Sequence, residues 1–217
     1  MDKFFSSIKI IGFDLDNTLY PISEEIDYRI KAEIAKRILE KKPELNSLEK
    51  AIEFSEKRYS ELGSRSQVLR EIGLSNPEQI VDECLATADI IDLLKYDKEV
   101  ASLIKDLSKM FQIFLVTGSP KNLAIAKLKK IGIPAGLFKI KIYGDNPSLK
   151  KIDGSVFNYL LKKSKYAPEQ HVYIGDNLLA DILPTKALGI KTIAVGRKFK
   201  EADYCVDSIK EIRSLLF

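Results

Sequence analysis

Ile10-Ile11-Gly12-Phe13-Asp14-Leu15-Asp16-Asn17-Thr18-Leu19-Tyr20-Pro21 is the stretch whose reading decides the fold. An apolar run enters it from Ile8, rich in β-branched and aromatic residues, and reads as a buried strand ending at Phe13. Asp14 and Asp16 then fall at or just beyond the strand end. Side chains two apart on a strand share one face, so both acids point toward one spot unless the chain turns between them. Two carboxylates at one spot repel, and a cation relieves them. The competing reading makes Asp14 a turn cap and Asp16 and Asn17 ordinary turn formers. Against it stands a second acidic strand end, Val172-Tyr173-Ile174-Gly175-Asp176-Asn177, far downstream.

The 217 residues allow one sizeable core with an inserted subdomain, or two small domains. Hydrophobic content of 45% and charged content of 30% are those of a soluble globular protein. Apolar runs fall far short of a membrane span, and the start Met1-Asp2-Lys3-Phe4-Phe5 lacks a signal peptide's basic and long apolar regions, so a cytoplasmic protein with no membrane partner is expected. Cys84 and Cys205 are too few and too far apart for a disulfide framework or a thiolate zinc site, and Cys84 reads as core packing. His171 is the only histidine, read as a surface or boundary residue, which removes most histidine-based metal and triad chemistry. The net charge of +4 is a weak bias, and no basic patch interleaved with aromatics suggests nucleic-acid binding.

After Pro21 the pattern turns helical. Ile26, Ile30, Ile34 and Ile38 recur every fourth position, with acids early and lysines late, as an amphipathic helix requires. Pro43 ends it, and Asn46 with Glu49 reads as a capping box for a second helix that Gly63 breaks. A short helix closes at Gly73, and Asn76, Pro77 and Gln79 open another. Residues 21–94 are therefore expected to form an α-helical cap domain. From Asp97 helices and strands alternate, with strands at Gln112 to Val116, near Phe138 to Tyr143, up to Asp176, at Lys191 to Val195 and at Tyr204 to Val206. Ser119 and Pro120 read as the N-cap and first residue of one intervening helix. The fold class expected is α/β: a doubly wound, Rossmann-like parallel-sheet core over 1–20 and 95–217, with the helical-bundle cap inserted after the first strand. Ligands of such sheets bind at the carboxyl ends of the strands, which brings Asp14, Thr117 and Asp176 to one edge, with the cap expected over it as a lid.

Two aspartates from one strand and one from another make the oxygen-rich site that Mg²⁺ prefers. With a hydroxyl and a lysine added, this is equipment for phosphoryl transfer, whose transition state spreads negative charge over oxygens that need fixed positive charge and donors.

These residues resemble the haloacid dehalogenase (HAD) superfamily of aspartate-nucleophile phosphohydrolases over nearly the whole chain. The family's Asp-x-Asp-x-Thr/Val motif stands as Asp14-Leu15-Asp16-Asn17-Thr18, its strand-ending Thr or Ser as Thr117, and its Gly-Asp followed by a further Asp as Gly175-Asp176 with Asp181. The lysine motif fits Lys151-Ile152-Asp153-Gly154-Ser155-Val156-Phe157 without its two prolines; spacing favours Lys151 over Lys150. The resemblance implies that Asp14 attacks phosphorus and that Asp16 serves as general acid and then general base. It implies that Asp14, Asp176 and the main-chain carbonyl of Asp16 hold Mg²⁺. Thr117, Lys151 and the backbone amides around Leu15, Asp16 and Gly118 would hold the phosphoryl oxygens, and Asp181 would act through water or by orienting the lysine.

The substrate implied is a small phosphorylated metabolite, with the cap loop Gly63-Ser64-Arg65-Ser66 as the candidate selector of the leaving group. The first motif, with Tyr59 to Arg65, is similar to the pyrimidine 5′-nucleotidase-like branch, which points to a nucleoside 5′-monophosphate; a sugar phosphate is the other option. A monomer or homodimer is expected. A phosphomutase of the same superfamily and a receiver-like phospho-aspartate switch compete with the hydrolase. Asp16 and the helical insertion argue against the switch, which needs neither.

Overall fold

The computed structural model describes residues 5–216. Strands β1 (Ile10–Phe13), β2 (Gln112–Val116), β3 (Ile140–Ile142), β4 (His171–Gly175), β5 (Lys191–Val195) and β6 (Tyr204–Val206) form one sheet in the order β3-β2-β1-β4-β5-β6. All five pairings are parallel. β1 is central and buried along its whole length, as its unbroken apolar sequence demands. Phe13 stands level with Leu115 of β2 and Ile174 of β4, so the three strands reach their carboxyl ends together.

Both faces of the sheet are covered. On one, Ile10, Phe114, Val116 and Tyr173 pack with Val156, Phe157 and Leu160 of the helix Ser155–Ser164. On the other, Ile11, Phe13, Ile113 and Leu115, of opposite parity, are equally buried. Gly12 is required in the middle of β1 because a Cβ there would stand 2.6 Å from the Tyr173 ring. That ring crosses over β1 from β4, and its hydroxyl donates to the Val116 carbonyl at 3.2 Å.

Residues Ile22–Leu93 form a second compact unit of the chain. It contains helices α1 (Glu24–Lys41), α2 (Leu48–Leu62), α3 (Arg65–Glu71) and α4 (Pro77–Thr87) around Ile34, Ala35, Ile38, Ala51, Val68, Leu69 and Cys84. The other unit carries α5 (Lys98–Met110), α6 (Lys121–Lys130), α7 (Ser155–Ser164), α8 (Leu183–Lys186) and α9 (Ile212–Leu216).

Three helix starts differ from expectation, each for a local reason. Asn46 takes a left-handed conformation (φ 65°) that closes the turn Pro43–Leu45, so Ser47 caps α2 instead, accepting from the Lys50 amide at 3.3 Å. Asn76 is also left-handed and makes no side-chain cap, leaving Pro77 to set the first turn of α4. Pro120, not Ser119, precedes α6, because the Ser119 hydroxyl is engaged elsewhere.

His171, expected near the surface, is buried at the start of β4. Its Nδ1 donates to the Ala167 carbonyl at 2.9 Å, and Nε2 lies 2.8 Å from Ser164 Oγ. Burial pushes the imidazole pKa below its ordinary 6.5. The unfolded chain therefore binds a proton that the folded chain refuses, so this stabilisation is complete above about pH 6.5 and declines as pH falls toward the folded value. Thermal unfolding between about pH 5 and pH 8 is expected to show a steeper acid-side loss in the wild type than in His171→Gln; parallel curves would contradict it.

Candidate active site

The site is built where β1, β2 and β4 end. The Asp14 amide prolongs the ladder by donating to the Ile174 carbonyl at 2.9 Å, and the Thr117 amide donates to Ile142 at 3.0 Å. Beyond Asp14 the chain doubles back at once: Thr18 and Leu19 donate to the Leu15 carbonyl at 3.4 and 3.0 Å, and Asn17 is left-handed (φ 57°). Asn and Asp tolerate that conformation better than other side-chain-bearing residues. The turn buries the Leu15 side chain and brings Asn17 Nδ2 to 2.8 Å from Asp176 Oδ2. Asn17 thereby ties the ends of β1 and β4 together, a role that its reading as a turn former did not contain.

The carboxylates of Asp14, Asp176 and Asp181 converge, with an oxygen from each lying within 4.8 Å of the others. Lys151 sits among them, its Nζ 2.5 Å from Asp14 Oδ1 and 2.8 Å from Asp181 Oδ1, and 5.7 Å from the Tyr173 ring centre. Its neighbour Lys150 gives its backbone to Ser155, the amide donating to Oγ at 2.8 Å. Asp181 is fixed from the other side by the Asn177 amide, which donates to Oδ2 at 3.1 Å. Asn177 in turn caps the following helical turn, its Oδ1 accepting from Leu179 and Ala180 at 3.0 Å each. Gly175 permits this approach: a Cβ there would stand 2.5 Å from the Asp181 carboxyl carbon.

Burial raises the Asp14 pKa well above the ordinary carboxylate value; Lys151 opposes the rise, and the charges of Asp181, Asp176 and Asp16 add to it. Asp176 is raised to about 6 by burial and by Asp181, against the Asn17 amide and Lys151. Burial would lower the Lys151 pKa, but Asp14 and Asp181 outweigh it and hold the ammonium strongly protonated. Three hard carboxylates against one lysine leave a net negative, oxygen-only donor set, which suits a divalent cation of the Mg²⁺ or Ca²⁺ kind.

Asp16 lives in a different environment from Asp14. Its Oδ1 accepts from the Tyr20 hydroxyl and from Lys127 Nζ at 2.5 Å; its Oδ2 accepts from Ser119 Oγ at 2.8 Å and Thr117 Oγ1 at 3.3 Å. Burial alone would raise its pKa, but Lys127, Tyr20 and Ser119 outweigh burial and bring it below the ordinary value. Tyr20, Ser119 and Lys127 were not placed in the site from the sequence, which reads Ser119 only as a helix N-cap. Only Lys127 left a signal there: it interrupts the apolar stripe Ala124, Leu128 on α6, where a solvated lysine does not belong.

A methyl at Gly118 would meet nothing within 4 Å, whereas one at Gly144 would collide with the Gly118 carbonyl, so Gly144 lets the two loops close on each other. Ser64, Arg65 and Ser66 stand at the start of α3 in the helical unit. Ser64 Oγ and Ser66 Oγ are 3.0 Å apart, and Arg65 pairs with Glu56 at 3.0 Å while lying over the Tyr59 ring at 4.8 Å.

Comparison with known proteins gives the family. Residues 8–189 match the family model described as haloacid dehalogenase-like hydrolase. The chain belongs to that family. Relatives of this haloacid dehalogenase-like hydrolase include the glyceraldehyde 3-phosphate phosphatase of Methanocaldococcus jannaschii, 26% identical over 94% of this chain and 95% of the relative. That of Pyrococcus furiosus is also 26% identical, over 96% and 93%. The crystal structure of a HAD phosphatase from Thermococcus onnurineus shares the fold at a TM-score of 0.65 and 19% identity, covering 96% of this chain and 98% of that one. The chain is an enzyme, a hydrolase. No described helix is long and apolar enough to cross a membrane.

Because Gly175 makes room for Asp181, Gly175→Ala is expected to cost about 1–3 kcal/mol in denaturant unfolding and to lower activity by displacing Asp181 from Lys151. Unchanged stability and activity would show that Asp181 has space to spare.

Proposed function

We propose that the hydrolase cleaves small phosphate monoesters through a phosphoryl-Asp14 intermediate with Mg²⁺ as its cofactor. The observation that carries this reading is the convergence of Asp14, Asp176 and Asp181 around Lys151 at the ends of β1 and β4. Asp14 Oδ forms the new bond to phosphorus as the ester P–O bond breaks, which divides one difficult displacement into two. Asp16, ionised at rest, would take up the proton carried in by the ester monoanion and pass it to the departing alcohol oxygen; it would then take one from the water that attacks the phosphoryl-Asp14 phosphorus and return it to the released phosphate, restoring Asp14 and Asp16.

Lys151, Thr117 and the amides around Leu15, Asp16 and Gly118 would hold the phosphoryl oxygens and meet the charge that grows on them. Asp14, Asp176 and the Asp16 main-chain carbonyl would hold Mg²⁺, which when bound supplies the positive charge that lets an anionic nucleophile approach an anionic ester. Asp181 acts on Lys151, aiming its ammonium at Asp14.

For the substrate, the names of both archaeal relatives favour a short phosphorylated sugar such as glyceraldehyde 3-phosphate over a nucleoside 5′-monophosphate. Selection among esters is assigned to the helical cap, 21–94, through Arg65, which pairs with Glu56 and lies over the Tyr59 ring, and its neighbours Ser64 and Ser66, whose hydroxyls meet each other.

The test is phosphate release from triose, hexose and nucleoside 5′-monophosphate esters, with and without Mg²⁺, on wild type and Asp14→Asn. Release should require the metal, be greatest on the triose phosphate and fall by at least about a thousandfold in the variant. Release that survives either omission would contradict the reading.

A further inference from the structure

Lys127 is a charged residue in a place where stability does not call for one. It lies on α6 between Ala124 and Leu128, its side chain is 1% exposed, and its ammonium reaches only into the site, 2.5 Å from Asp16 Oδ1 and 2.7 Å from Ser119 Oγ. Replacing a buried ion pair by apolar residues of similar volume is often neutral or stabilising, so such a pair is weak evidence for stability and a reason to look for a function.

The arrangement around Asp16 is that of a clamp. Each oxygen accepts two hydrogen bonds: Tyr20 and Lys127 on Oδ1, Thr117 and Ser119 on Oδ2. Lys127 also donates to Ser119, and the Ser119 amide donates to Thr117 Oγ1 at 3.0 Å, so these three groups are tied to one another as well as to the carboxylate. The Asp16 side chain nonetheless keeps 27% of its surface open, enough for a ligand to meet it. A carboxylate on a sharp turn, with one left-handed residue beside it, has little else to hold its rotamer.

We propose that Lys127, with Ser119 as its second arm, is a positioning residue that aims Asp16 at the leaving-group oxygen. This rests on the reading of Asp16 as the proton donor. A misaimed donor costs most where the leaving group needs its proton. An alkoxide does, and nitrophenolate, a stable anion, does not.

The experiment compares kcat/KM, which reports the first irreversible step, for an alkyl phosphate that the wild type hydrolyses and for p-nitrophenyl phosphate. The variants are Lys127→Met, Lys127→Gln, Ser119→Ala and Asp16→Asn, each first checked for a folded transition. Lys127→Met is expected to lose at least about tenfold more on the alkyl than on the aryl ester, through kcat with KM little changed, with Ser119→Ala following in the same direction by less. Should Lys127→Met fail to fold, Lys127→Gln and Ser119→Ala carry the same comparison. Equal losses on both esters, or none, while Asp16→Asn retains a selective loss, would overturn the clamp and leave the proton donor standing. Equal losses in Asp16→Asn itself would overturn the donor, and the clamp with it.

Discussion

Repulsion among carboxylates is the constraint on which the rest of this structure depends. Asp14, Asp176 and Asp181 crowd into one buried spot with Lys151 as the cation between them, an arrangement that an isolated chain would not adopt. The surrounding backbone is shaped to hold it. Register brings β1, β2 and β4 to a common end, Gly175 clears space for Asp181, and Asn177 holds that carboxylate from behind. Asn17 turns the chain and reaches Asp176 with the same residue. A site so charged is costly for folding and suited to accepting cations.

Two aspartates separated by a single residue sit in unlike surroundings. Asp14 is sunk at a strand end among other acids, with Lys151 alone beside its Oδ1 and the Thr18 hydroxyl 3.4 Å from its Oδ2. Asp16 is wrapped by three hydroxyls and an ammonium.

Much of this was legible in the sequence because it was periodic. Apolar runs ending in acids identified the strands and their carboxyl ends, and alternation with helices implied a parallel sheet, as found. What could not be read is what tertiary contact decides. Lys127 interrupts an apolar stripe, but its partner is unknown until the fold brings it to Asp16, and Ser119 is a good N-cap until Asp16 competes for its hydroxyl. His171 precedes a strand of apolar residues, and only the packing of the turn Pro168–Gln170 puts it inside. The shift of the α2 cap from Asn46 to Ser47 is of the same kind, since a left-handed residue is invisible in composition.

The proposed hydrolysis requires a covalent bond between phosphorus and Asp14. The most direct measurement is peptide mass spectrometry on enzyme acid-quenched during the first turnover with Mg²⁺ and an ester that it hydrolyses. A single phosphoryl group on the peptide containing Asp14, absent when the metal is withheld and absent in Asp14→Asn, is the expected result. Full turnover with no phosphorylated peptide in a quench fast enough to precede product, or a phosphoryl group on another residue, would contradict it.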